Sequence, residues 1–508
     1  MYPGTHARIT PDKPAIIVAD TGETVSYAQL DTRSQRFARH LYDTGVRPGD
    51  HVAVLCDNQA RALEIYWAAM RSGLYITFIN SQLSADEVAY ILNDCSAETF
   101  VVAERYAPIA GVVVAQTPRV ARKIALGCVD GFEDYEAVIA AASGQPLPAQ
   151  PCGADMLYSS GTTGFPKGIE VPLPDRDVSQ PGDPSTALFG PAMGLTADSV
   201  YLSPAPVYHA APLRFMALAH RFGATVVMME KFDAENALRL IQQYRITHSQ
   251  WVPTMFIRML KLQRQVRESY DVSSLRCAVH AAAPCPVEVK RAMIEWWGPI
   301  LLEYYSSTEA NGVTMIDSRE WLQRPGSVGK SRLGILHICD DSGTEVAAGQ
   351  IGTVYFEREV APFEYHNDPA RTAETRHRNH PTWTTCGDVG YLDTDGYLYL
   401  TDRKSFMIIS GGVNIYPQEI ENHLALHPAV FDVAVIGVPD EEMGESVVAV
   451  VHPAVEADSH EELAATLDRF LRERIAHYKV PRRYEFTTDL PRTPTGKLIK
   501  GRLRERYG

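Results

Sequence analysis

Along most of its length this chain switches between a helical and a strand-like spacing of apolar residues, and that alternation constrains the fold more than any other feature. DTRSQRFARHLYDTG reads as a helix, HVAVLC as a buried strand, NQARALEIYWAAMRSG as a second helix and LYITFI as another strand. The pattern returns at ATVVMME, ENALRLIQQYR and ITHSQWV, and again at LRCAVHAAA followed by PVEVKRAMIEWW. Such βα winding implies a largely parallel sheet with ligand sites in the turns at the strand ends. Between Leu173 and Thr196 the chain is dense in Pro, Gly and Asp, and is read as an exposed surface loop rather than a core element. Past residue 320 short strands such as GTVYFERE and GYLYLTDR alternate with Gly and Asp turns, the mark of a β-rich subdomain. A compact α+β unit follows from residue 405, with IISGG, the helix YPQEIENHLALHP, the strands VFDVAVIGV and SVVAVVHP, and the helix SHEELAATLDRFLRERIAH. The expected fold class is α/β: a large N-terminal domain of βα-wound subdomains plus a β-rich subdomain over residues 1–402, a hinge at 403–405, and a small C-terminal domain over 406–508.

At 508 residues the chain exceeds one hydrophobic core, since domains average about 150 residues. A net charge of −14 argues against general affinity for nucleic acid, which needs a basic footprint. Anionic ligands must therefore meet local donors. The eight cysteines form no CxxC pair and no zinc-like spacing, so they are read as reduced thiols in a cytoplasmic protein. The N-terminal MYPGTHARITPDKPAII has no leader pattern, and no run of about 18 apolar residues offers a membrane span. A homodimer is left open.

The richest chemistry is in Tyr158-Ser159-Ser160-Gly161-Thr162-Thr163-Gly164-Phe165-Pro166-Lys167-Gly168. Hydroxyls and glycines at this density offer donors to phosphate oxygens, and glycine lets the backbone approach without a Cβ clash. It is not a Walker A loop, because Gly168 follows Lys167 where Ser or Thr would supply the magnesium hydroxyl. In Tyr304-Tyr305-Ser306-Ser307-Thr308-Glu309-Ala310 a flat aromatic suits an adenine face, and a hydroxyl beside a carboxylate suits Mg²⁺ on phosphates; the same letters would also cap a helix. Asp388, after a glycine, could accept from ribose hydroxyls or serve a surface turn. His209 lies in an apolar stretch where a lone His is usually a core residue, and Lys497 lies in a basic tail that would ordinarily be a solvated face.

These strings, with YHAAPL at 208–213, HAAAPCP at 280–286, TCGDVGYLD at 385–393, DRKSFMIISGGVNIYPQEIE at 402–421 and LPRTPTGK at 490–497, occur in order along nearly the whole chain. In this the sequence resembles the adenylate-forming superfamily of acyl-CoA synthetases, firefly-type luciferases and peptide-synthetase adenylation domains. The resemblance implies that Ser159, Ser160, Gly161, Thr162, Thr163, Gly164 and Lys167 hold the phosphates of ATP. It places Ala282, Ala283, Pro284, Tyr304, Tyr305, Ser306, Ser307 and Thr308 around the nucleotide, with Tyr305 on adenine and with Asp388 and Arg403 on the ribose. Thr308 and Glu309 would reach Mg²⁺. Thr163, Lys167, Glu309 and Lys497 would be catalytic, with Lys497 bridging the substrate carboxylate and the α-phosphate. His209 would gate an acyl pocket that includes Trp251, Val252, Met255 and Ala281, near Tyr208. Ser410, Gly411 and Gly412 would line the pantetheine tunnel after the C-terminal domain rotates, which makes that domain mobile. Ser306 stands where many relatives have glycine, and Ser405 where many have Asp or Lys at the hinge.

The function so implied is ATP-dependent activation of a carboxylic acid and transfer to coenzyme A, with ATP, Mg²⁺ and CoA required. Transfer to a carrier protein, a luciferase-like oxidation and a noncatalytic sensor are the alternatives; the last has little need of Lys497. The pocket candidates include no Asp or Glu poised for an amino group, which disfavours an amino acid and leaves fatty, aromatic and steroid-side-chain acids.

Overall fold

The computed structural model describes residues 2–159, 166–403, 406–455, 459–492 and 498–508. Two sheets carry the βα winding. The larger has nine strands in the order Lys330–Leu333, Val313–Asp317, Leu301–Tyr305, Cys277–His280, His248–Trp251, Val200–Ser203, Thr225–Met228, Pro14–Val18, Thr24–Ser26. Its interior pairings, from Leu301–Tyr305 across to Pro14–Val18, are parallel, and antiparallel strands finish both edges. The second sheet has six strands, all parallel, around His51–Leu55, Tyr75–Phe78 and Thr99–Ala103. Both are covered by helices, so their strands read as continuous apolar runs rather than alternating ones.

Helix boundaries follow the caps. The helix predicted from residue 31 begins at Tyr27, because Ser26 accepts from the Gln29 backbone while the Gln29 side chain accepts from the Ser26 N–H. Its buried side, Tyr27, Leu30, Ser34, Phe37, Ala38 and Leu41, keeps the helical spacing and faces the core between the two sheets.

The loop expected between residues 173 and 196 is corrected in part: Pro184–Met193 is a helix, with Phe189 and Met193 buried. Asp183 caps it by accepting from Thr186 N at 2.7 Å, Pro184 opens it and Gly194 closes it in the left-handed conformation. The Pro and Gly residues that suggested a loop are the helix's own start and stop signals.

After residue 330 the chain forms the expected β-rich sheet of Ile335–Cys339, Gly352–Glu357, Asp388–Leu392 and Leu398–Arg403, with Trp383–Thr384 joined at its side. A separate sheet then begins at Ile408, with Val430–Asp440 and Gly444–Pro453 as its long antiparallel pair and its own apolar core. Residues 404–405, including the predicted hinge Ser405, lie outside the described residues. Lys261 Nζ donates to the Val430 carbonyl at 2.7 Å, and Gln418 N donates to Asp402 Oδ2 at 3.1 Å, tying this unit to the rest. Among the described residues all eight cysteines are free thiols, most of them buried, and no helix is long and apolar enough to cross a membrane.

One buried histidine makes the core sensitive to acid. His220 accepts from Trp67 Nε1 at Nδ1, 3.0 Å, and its Nε2–H donates to the Ala15 carbonyl, 3.1 Å, an arrangement that fixes the neutral form. Burial pushes its pKa down to about 4. The unfolded chain takes up this proton near pH 6.5, so its contribution is fully present above that pH and is lost as pH falls toward 4, at most about 3 kcal/mol. We expect the unfolding midpoint to drop between those pH values, and His220→Gln to flatten that slope; an unchanged slope would assign the acid sensitivity to other groups.

Candidate functional site

A cleft of about 2500 Å³ opens where the parallel strands of the larger sheet end, and it reaches the C-terminal unit. Carboxyl ends of parallel strands are where α/β sheets collect ligands. Cys277–His280 delivers Ala281, Ala282 and Ala283 to the cleft wall, and the neighbouring Leu301–Tyr305 delivers Ser306, Ser307, Thr308 and Glu309. Both loops hold a non-glycine residue at positive φ, Ala282 at 76° and Ala310 at 51°. A left-handed alanine costs about 1 kcal/mol or more, and such strain gathers where backbone is shaped for a ligand. Residues 306–310 form a turn and not a helix start, which removes the capping explanation of Ser-Ser-Thr-Glu.

Ser159 and Lys167 face each other in the antiparallel pair Leu157–Ser159 and Lys167–Glu170, and both border the cleft. The predicted phosphate-binding residues Ser160, Gly161, Thr162, Thr163 and Gly164, which connect these strands, lie outside the described residues. Gly168 lets the pair close on Tyr158, since a Cβ there would stand 2.8 Å from Met156 Cε and 3.0 Å from the Tyr158 ring. Lys167 Nζ lies 5.0 Å from the centre of the Tyr365 ring, and Tyr365 Oη donates to Glu309 Oε1 at 2.9 Å. Burial, and then the Glu309 charge, push the Tyr365 phenol up, so it is a fixed donor. Tyr365 thus joins Lys167 and Glu309, although nothing in EYHNDPA marks it in the sequence.

Asp388 and Arg403 pair across adjacent strands, and Arg403 Nε donates to Asp388 Oδ1 at 3.0 Å. Tyr305 Oη donates to the other oxygen at 2.7 Å. Asp388 raises the Arg403 guanidinium further, and burial followed by Asp388 raises the Tyr305 phenol. Each carboxylate oxygen keeps a lone pair for a further donor. Arg403 lines the cleft directly, with Cys386 and Gly387 beside it, while Tyr305 and Asp388 stand behind this rim. Pro284 is exposed and does not border the cleft.

The predicted acyl-side residues Tyr208, His209, Trp251, Val252, Met255 and Ala281 all border the cavity. Trp251 does so from the core: its ring lies 5.6 Å from that of Trp297, and its Nε1 donates to Ser249 Oγ at 2.7 Å. The sequence reading missed the charged residues of this wall, Arg214 with Asp155 and Arg221 with Asp183, because they belong to no recognisable string.

From the C-terminal unit, Asp489 to Arg492 and Leu498 to Arg502 line the cleft, and they bracket Lys497, which lies outside the described residues. Ser410, Gly411 and Gly412 do not line it. Ser410 ends the strand Ile408–Ser410, and Gly411 and Gly412, both at positive φ, turn the chain into Val413–Ile415.

Glu309 accepts one hydrogen bond at Oε1, and its Oε2 accepts none among the described residues. With the Thr308 hydroxyl this is a hard-oxygen donor set, which suits Mg²⁺ carried in on phosphate oxygens. Tyr365→Phe removes a hydrogen bond to a charged group, for an expected loss of about 1.5 kcal/mol, roughly tenfold in kcat/KM for MgATP. A titration of activity against Mg²⁺ should show a raised requirement; an unchanged curve would mean that Tyr365 does not orient Glu309.

Residues 5–360 match the model of the AMP-binding enzyme family, and residues 419–497 that of the AMP-binding enzyme C-terminal domain. A feruloyl-CoA synthase from an Amycolatopsis species is 34% identical over 100% of this chain and 98% of its own. The long-chain-fatty-acid–CoA ligase FadD13 of Mycobacterium tuberculosis is 31% identical over 99% of this chain and 97% of its own. Among solved structures, the anthranilate CoA ligase AuaEII in complex with anthranoyl-AMP superposes with a TM-score of 0.85 at 27% identity, over 99% of this chain and 96% of that one. Agreement in sequence and in fold over essentially the whole length leaves one conclusion: the chain belongs to the AMP-binding enzyme family, on its acyl-CoA synthetase branch.

Proposed function

We propose that the protein is an AMP-forming acid–thiol ligase that uses ATP to join a carboxylic acid to coenzyme A. The observation that carries this reading is one cleft bordered by Ser159 and Lys167, by Thr308 and Glu309, by Arg403 with its partner Asp388, and by the segments on both sides of Lys497. A carboxylate is a poor acceptor for a thiol because oxide would have to leave. In the first step a carboxylate oxygen attacks the α-phosphorus in line, the bond to the β-phosphate oxygen breaks, and pyrophosphate departs. Mg²⁺, when bound with ATP, offsets charge on the departing pyrophosphate. Lys167 and the hydroxyls of 159–163 hold the phosphates, Asp388 and Arg403 hold the ribose, and Glu309 and Thr308 hold the cation. Lys497 offsets the charge crowded between carboxylate and α-phosphate.

In the second step the CoA thiolate attacks the acyl carbon, the acyl C–O bond breaks and AMP leaves; the thiol proton goes to solvent. Asp489–Arg492 and Leu498–Arg502 border the cleft, while Ser410–Gly412 do not. Rotation of 406–508 about 403–405 would exchange the two, so that one site serves both steps. The acid belongs to the fatty, aromatic or steroid-side-chain classes, in keeping with one relative named for feruloyl-CoA and another for long-chain fatty acids. A cytoplasmic location is part of this reading. The test is AMP release from ATP and Mg²⁺ with a panel of such acids, with and without CoA. Turnover that needs both acid and CoA supports the ligase, whereas pyrophosphate release without CoA-dependent turnover would assign the acyl group to another acceptor.

A further inference from the structure

The cleft continues past the nucleotide site along one helix. Ala211, Arg214, Phe215, Leu218 and Arg221 recur at helical spacing on Ala210–Phe222, and all line the cavity. At the inner end Arg214 donates to the Thr308 carbonyl at 3.3 Å and pairs with Asp155 at 2.7 Å. Two turns on, about 10 Å along the axis, Arg221 pairs with Asp183 at 3.2 Å. The wall between is apolar and aromatic. Phe189 lies 5.0 Å from Phe215 and 5.1 Å from Tyr304 between ring centres, and Leu188 and Leu218 join them.

The geometry points to a recognition site for the far end of the acid, formed by Arg221 and Asp183, for a substrate with a flat or narrow apolar body and a neutral hydroxyl or carbonyl about 10 Å from its carboxylate. This inference rests on the acyl-CoA ligase reading. The carboxylate lies at the level of Thr308 and the body runs between Phe215, Leu218 and Phe189. The far group must be polar because the arm ends on the Arg221 guanidinium, whose five N–H donors exceed what Asp183 can accept: Asp183 Oδ1 already accepts from Thr186 N and Oγ1, and its Oδ2 faces Arg221. It must also be neutral, since Asp183 offsets the charge of Arg221: a second carboxylate would face Asp183 and an ammonium would face Arg221. The pair is partly exposed, its side chains at 12% and 21%, so it contributes little to stability, and its place in a cavity wall is better explained by what it binds. Asp183 also caps Pro184–Met193, which places the helix carrying Leu188 and Phe189 against the same pair.

The experiment measures kcat/KM for CoA-dependent AMP formation with cinnamic acid and its para-methyl and para-hydroxy derivatives, with medium- and long-chain fatty acids alongside. The wild-type protein should favour para-hydroxy over para-methyl by roughly tenfold or more. Arg221→Met should bring that ratio near one while changing the para-methyl value less than about threefold. Asp183→Asn keeps a competent helix cap and leaves Arg221 without its counter-charge, so it should gain activity with para-carboxycinnamic acid; a merely structural pair would not produce that gain. The variant also keeps the test valid if Arg221→Met fails to fold. An absent preference in the wild type, or one that survives in Arg221→Met, would overturn the inference. Turnover of fatty acids but not of the cinnamic series would overturn it too and leave the ligase reading intact, whereas no CoA-dependent AMP from any acid would remove the ligase reading itself.

Discussion

Replacing Lys497 with Ala is expected to slow acyl-adenylate formation roughly a hundredfold, while a supplied acyl-adenylate is still converted to thioester within a few-fold of the normal rate. The two half-reactions place opposite demands on the site. In the first, a carboxylate approaches a phosphate that is already negative, and a fixed ammonium between them stabilises the charge that builds in the transition state. One preorganised donor of this kind is worth about 3 kcal/mol, which corresponds to that hundredfold. In the second, a thiolate attacks the acyl carbon and the charge builds on the carbonyl oxygen and the departing AMP, not between an approaching carboxylate and the α-phosphate. The described segments that flank Lys497 in the sequence, Asp489–Arg492 and Leu498–Arg502, line the cleft, which is in keeping with the proposed role of Lys497 in adenylation. Equal loss of both half-reactions would point to a structural role for Lys497, and no loss would remove it from the chemistry.

Glu309→Gln is the second large effect, with a fall in kcat of about two orders of magnitude, or roughly 3 kcal/mol, and a clear rise in the Mg²⁺ needed for half-maximal rate. The amide oxygen can still accept from Tyr365 Oη, so the packing around 7%-exposed Glu309 should survive. What is lost is the negative charge that would hold the cation between protein and phosphates. The unfolding midpoint separates the two causes: retained stability with weakened Mg²⁺ dependence supports a metal-holding carboxylate, whereas matched losses of stability and rate would make Glu309 structural.

The βα winding was legible because buried parallel strands are unbroken apolar runs while their helices keep a 3.6-residue period, as His51–Leu55 and Tyr27–Asp43 both do. The cleft-lining strings proposed to meet the nucleotide stood out in the sequence for a different reason. Their residues sit in loops at strand ends, so Ser306–Glu309 and Ala281–Ala283 appear as continuous strings. The charged wall of the cleft was not legible, because the helix Ala210–Phe222 contributes one residue every three or four, and Arg214 and Arg221 read locally as ordinary helix charges. Their meaning depends on Asp155 and Asp183, which come from elsewhere in the chain. Pro184–Met193 was missed for the opposite reason, since its Pro and Gly signals are the same letters that mark a loop. Tyr365 contacts Glu309 across 56 positions of sequence, a distance over which no local pattern reports.

The central claim is that the acid's own oxygen becomes bonded to the α-phosphate before the thiol attacks. The most direct measurement uses an acid labelled with heavy oxygen in its carboxylate, turned over with ATP, Mg²⁺ and CoA, and weighs the AMP by mass spectrometry. The account predicts AMP carrying one heavy oxygen atom from the acid, with the other left in the thioester carbonyl. Unlabelled AMP, or label in phosphate with ADP as the nucleotide product, would contradict it.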